Sequence, residues 1–142
     1  MIKTFALIFG ILYVLVGVLG FIPGLSTHPA DPQHLAVETG YGHLMGLFPI
    51  NILHNIVHLA IGAWGILASR SIGGARFFAQ ALAIVYGLLA VMGLIPGLNT
   101  TFGLVPIYGN DVWLHALSAL IAAYFGFIAR ADGAPNVSAN RV

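Results

Sequence analysis

No cysteine occurs in the chain, and charged residues make up only 6% of its 142 positions. The first absence excludes disulfides, thiolate metal sites and cysteine nucleophiles. The second excludes an ordinary soluble globule, in which about a quarter of the residues are charged. Five basic and four acidic side chains cannot solvate the surface of a 15.0 kDa fold. Intrinsic disorder needs the opposite composition, and a net charge of +1 offers no basic face to nucleic acid. Phosphate-cradling glycine loops, the HExxH pattern and a Ser-His-Asp arrangement are missing as well. Apolar residues fill the space: 59% of the chain is hydrophobic, with a mean hydropathy of +0.97. One membrane-spanning helix takes about 20 apolar residues. The chain therefore has room for four spans and none for a separate soluble domain.

Four apolar runs, at about 5–22, 52–68, 77–95 and 112–129, contain no Lys, Arg or Glu. Lipid offers the backbone no hydrogen-bond partners, so runs of this length read as helices. A barrel would need alternating apolar and polar residues, and none is seen. Pro23 and Pro96, each followed by glycine, are expected to end the first and third helices. The first run is too long for a secretory h-region and lacks an Ala-x-Ala site. All five basic residues, Lys3, Arg70, Arg76, Arg130 and Arg141, fall on one side of this arrangement. The positive-inside rule then predicts cytoplasmic N- and C-termini. The bundle is expected over residues 1–130, with a polar, unstructured tail at 131–142.

The two halves resemble each other. Residues 5–25, FALIFGILYVLVGVLGFIPGL, align without gaps on 78–98, FAQALAIVYGLLAVMGLIPGL, with identity at 11 of 21 positions. The match resumes at Gly46-Leu47-Phe48-Pro49-Ile50 against Gly103-Leu104-Val105-Pro106-Ile107. Two duplicated hairpins (about 5–70 and 78–130) crossing in the same sense predict a parallel repeat about an axis along the membrane normal. The fold class expected is therefore an all-α integral membrane four-helix bundle. Residues 26–41 form a hydrophilic insertion in the first half only. Small residues at helical spacing, Gly10 with Gly17 and Ala79, Ala83 and Gly87 in series, are candidates for close helix contact.

Chemistry concentrates at the starts of the second and fourth helices. His54 and His58 are four apart and project from one face. The internal alignment puts Asp111 at the position of His54 and His115 at that of His58. Ionisable residues within a membrane face the bundle interior and mark function. Four readings stay open. The cluster is a polar clamp with Asn51 and Asn110 or Asp111 as helix caps. Or His54, His58, Asp111 and His115 bind a divalent metal, with Zn, Cu(II), Mn and Fe(II) all suited to the donor set. Or His54, His58 or His115 ligates a haem or a chlorophyll. Or the cluster relays protons or ions. His28, Asp31, His34 and Glu38 read as solvated loop residues, and His43 as a neighbour of the site.

The run Asn51-Ile52-Leu53-His54-Asn55-Ile56-Val57-His58-Leu59, with Asp111 and His115 opening the fourth helix, carries a resemblance. From about residue 5 to 129 the chain resembles a bacterial and cyanobacterial four-helix membrane family known only as a domain of unknown function, with an N-x-x-H-N-x-x-H-L element. Trp113 and the lack of a second asparagine set the fourth helix apart from the second. The resemblance implies membrane location and fold, and no activity. With loops too short for an independent catalytic apparatus, the expectation is a non-enzymatic accessory or scaffold subunit. It would sit in a bacterial inner or photosynthetic membrane, within a partner complex or homo-oligomer.

Overall fold

The computed structural model describes residues 1–28 and 33–129. Asp31, Arg130, Arg141 and the tail at 131–142 lie outside them. Four helices dominate: α1 (Ile2–Leu19), α2 (Ile52–Ala68), α3 (Ile72–Gly93) and α4 (Asn110–Ala123). Alpha-helix gives way to a π-helical turn at Tyr124–Ile128. Three helical stretches, Ile2–Leu19, Ile72–Gly93 and Asn110–Ile128, are long and apolar enough to cross a membrane. The 17 residues of α2 reach about 25 Å at 1.5 Å per residue, short of a hydrocarbon core of about 30 Å.

Both prolines expected to end helices act ahead of themselves. Helix α1 stops at Leu19 and α3 at Gly93, and each tightens into i→i−3 turns (Ile22 N to Leu19 O, Ile95 N to Met92 O) that last to the residue before the proline, where helical geometry is disfavoured. Helix α3 begins five residues before the apolar run. The Ser71 hydroxyl accepts a hydrogen bond from the Gly74 amide at 3.0 Å, a side-chain cap that starts the helix among polar residues. The π-turn is held from α3: Gln80 Nε2 donates to the Gly126 carbonyl (3.1 Å) and Arg76 to the Ala129 carbonyl (2.8 Å).

Helix α1 packs chiefly on α2, and α3 on α4. Glycine makes the first pair close. A Cβ on Gly62 would stand 2.6 Å from the Val14 backbone nitrogen and 2.7 Å from the Gly10 carbonyl oxygen. Gly87, by contrast, faces only the Ala119 methyl at 3.9 Å. Helix Gly62→Ala is therefore expected to force the α1–α2 pair apart, at a cost of about 1–3 kcal/mol, while Gly87→Ala is close to neutral. Thermal unfolding in detergent checks both.

The connection between α1 and α2 folds into a three-stranded antiparallel sheet, β1 (Ser26–Thr27), β2 (Gly42–Leu44) and β3 (Phe48–Ile50). Strand β2 pairs with β3 through His43 opposite Pro49, and with β1 through Leu44 opposite Ser26. The insertion thus includes a strand and lies across the second hairpin: the Ala36 amide donates to the Gly103 carbonyl at 2.8 Å. At the opposite end the core is aromatic. Phe5 stacks on Phe125 with centroids 4.7 Å apart, and Phe78 is fully buried beside them. Midway, Tyr13 and Tyr86 meet edge to face at 5.5 Å.

Candidate functional site

Strand β3 runs into α2 and sets its first turn. The side-chain oxygen of Asn51 accepts from the His54 amide at 2.9 Å, satisfying an otherwise orphaned donor. This fixes where the His54 ring starts. Its Nδ1 lies 3.1 Å from the Pro49 carbonyl. A carbonyl only accepts, so Nδ1 carries the proton, and in the neutral ring Nε2 presents its lone pair. That lone pair faces α4, with His54 Nε2 3.9 Å from Asp111 Oδ2.

Asp111 and His115 complete the group. They are four apart on α4, and His115 Nδ1 is 3.5 Å from Asp111 Oδ2. Asp111 does not cap its helix. Gly109, with φ of 64°, precedes the first turn without any side-chain hydrogen bond to it. The Asn110 amide reaches across to the Leu47 carbonyl at 3.2 Å instead. His54, Asp111 and His115 are 3%, 1% and 3% exposed, and one ligand atom from each lies within 4.8 Å of the others. Asp111 Oδ2 and His115 Nδ1 have no hydrogen-bond partner. A buried carboxylate needs a compensating positive charge or proton. The described basic side chains stand at the opposite end of the helices: Lys3 and Arg76 in the first turns of α1 and α3, and Arg70 in the turn between α2 and α3.

His58 is one turn along α2, its ring 4.5 Å from that of His54. It stands outside the three-residue group, and its Nδ1 is buried without a partner. Tyrosines flank the histidines in matching fashion: Tyr13 lies 5.6 Å from His58, and Tyr86 4.7 Å from His115. Asn55 is buried toward α1, where a Cβ on Gly20 would collide with its amide. The loop residues His28, His34 and Glu38 are exposed and not drawn in. His43 is half-buried against Tyr108, centroids 6.1 Å apart.

Two features escaped the sequence reading. The Tyr41 and Tyr108 hydroxyls are hydrogen-bonded at 2.6 Å, joining the insertion to the second hairpin. The Asn51 amide also donates to the Val37 carbonyl at 2.9 Å and the Leu104 carbonyl at 2.7 Å. Both tie distant loops, and no local spacing signals them.

The chain belongs to the family described as a domain of unknown function (DUF4383), which it matches over residues 3–128. No curated protein and no solved structure matches it.

Proposed function

We propose that the protein is a four-span membrane subunit that holds a divalent transition-metal ion on His54, Asp111 and His115. One observation carries this reading: three buried ligand atoms converge within 4.8 Å, and two of them lack any other partner. Tetrahedral coordination at about 2.0–2.1 Å puts neighbouring ligands about 3.3 Å apart. The separations from Asp111 Oδ2 are 3.5 and 3.9 Å, and the three atoms lie within 4.8 Å of one another, so the side chains must draw together to reach it. The proton on His54 Nδ1, held by a backbone carbonyl, is the support that metal-bound histidines commonly have. Two imidazoles and a carboxylate suit Zn, Mn or Fe(II), and leave coordination positions open. A tetrapyrrole fits less well, because Asp111 occupies the space between the His54 and His115 rings. A proton path fits poorly too, because the opposite end of the core is phenylalanine and alanine.

In this reading α2 is the fourth span, its shortfall made up by β3. The lysine and arginine distribution directs the sheet end away from the cytoplasm. The likeness of the Tyr13–His58 and Tyr86–His115 contacts supports a duplicated hairpin. The short loops favour an accessory subunit within a larger membrane assembly.

Metal quantification and an absorption spectrum of the detergent-purified protein test the proposal. About one ion per chain is expected, and a His54→Ala/His115→Ala double variant should carry none. Acidification should release the ion, since protons compete with it for the ligand atoms of His54, Asp111 and His115. Metal-free wild-type protein that also takes up no added Zn, Mn or Fe(II) would overturn the metal reading and leave the cluster as a clamp.

A further inference from the structure

A cavity of about 310 Å³ opens between α2 and α3, with His54, His58 and His115 on its inner wall. Its mouth is formed by Val57 and Val85, 44% and 48% exposed. Val57 lies in the second turn of α2 and Val85 just past the middle of α3, on the apolar surface expected to meet acyl chains. A second cavity, of about 390 Å³, lies between α1 and α4. The internal alignment relates the two: Leu12 corresponds to Val85, Tyr13 to Tyr86, Leu114 to Val57, and His58 to His115.

The two clefts differ in what they reach. The α1–α4 cleft touches one histidine, His58. The α2–α3 cleft touches all three, and is bordered at the sheet end by Thr101, Leu104, Val105 and Ile107, of which Ile107 is buried and Leu104 is 48% exposed. The Thr101 hydroxyl is already engaged with Val105, accepting from its amide at 2.8 Å and donating to its carbonyl at 2.7 Å. His58 Nδ1 is not engaged: the residue is 4% exposed and that atom has no partner.

We infer that the α2–α3 cleft admits a quinone-class molecule from the bilayer, a planar ring with carbonyl or hydroxyl groups on an apolar chain, whose head hydrogen-bonds to His58. No Lys or Arg lines the cleft, so a phosphate headgroup would enter without a counter-charge. The rings of His54, Tyr86 and His115 give the inner end flat aromatic walls, which favour a planar head. The volume is at the lower end for ligand sites: it fits one ring, with the chain lying out between Val57 and Val85. The inference does not require the ion: His58, the hydrogen-bonding group, is not among the three ion ligands, although the His54 and His115 rings serve both sites.

The test uses the full chain in lipid nanodiscs with a photoreactive decyl-benzoquinone, and maps labelled peptides by mass spectrometry. Label is expected in α2 and α3, displaced by unlabelled decyl-benzoquinone and not by decanol. Val57→Trp, Val85→Trp and His58→Ala should each weaken labelling on the order of tenfold. Leu114→Trp, the counterpart in the other cleft, should leave it unchanged. Metal content, measured in the same samples, reports on the folded cluster separately. Labelling that survives both tryptophans, moves to α1 and α4, or yields equally to decanol would overturn the inference. The last result would mark a groove for ordinary acyl chains.

Discussion

Asp111→Asn is expected to weaken divalent-ion binding by more than about a hundredfold. Loss of a group that merely orients a ligand costs about 10–100-fold, and Asp111 Oδ2 is itself one of the three converging ligand atoms, 3.9 Å from His54 Nε2 and 3.5 Å from His115 Nδ1. It is also the one acidic side chain in the cluster, so its loss removes the charge that offsets the ion. Competition against a chelating dye measures the affinity, and unfolding experiments separate this role from a purely structural one. An ion at a hundred times its Kd stabilises the native state by about 2.7 kcal/mol. Wild-type protein should show that gain and Asp111→Asn almost none. Without metal the order should reverse or level, since asparagine spares the protein a buried carboxylate lacking a counter-charge. If metal-free Asp111→Asn were strongly destabilised, with added metal stabilising neither protein, the carboxylate would be a clamp between α2 and α4.

The histidines and Asp111 were legible in the sequence because helical period is. Residues four apart share a face, and the internal alignment set Asp111 against His54. Spacing alone does not say which members converge. His54 joins Asp111 and His115 because the Asn51 cap and the Pro49 carbonyl fix its ring at the first turn. His58, a turn deeper, faces the clefts. The helix ends were read less well for local reasons. Gly73, Gly74 and Arg76 look like loop composition, and a single serine cap overrides them. The sheet left no pattern, since strands of two or three residues are too short for alternation to register. The insertion reads as solvated because it is polar, and its described residues His28, His34 and Glu38 are exposed. The part that matters to the fold is its backbone, laid against Gly103 and Asn51.

Asn51→Ala should be the most destabilising single change at the sheet end. The residue is fully buried and makes three hydrogen bonds. It caps α2 through the His54 amide, and holds the Val37 and Leu104 carbonyls from two different loops. Losing the cap costs about 1 kcal/mol. Each of these part-buried carbonyls left without its donor costs about 1–3 kcal/mol more, for a total of roughly 3–7 kcal/mol. Asn51→Ser keeps a capping oxygen and should recover only the first part. Hydrogen exchange should quicken at the amides of 33–37 and 99–105 and stay unchanged in the middle of α1 and α3. The site should feel the change as well. With the first turn of α2 loosened, the Pro49 carbonyl no longer holds the His54 ring in place, and metal affinity should fall about 10–100-fold although every ligand remains. Undiminished affinity in a variant whose loops exchange freely would show instead that α2 and α4 position the ligands unaided, and that the loops over them serve only as a cover.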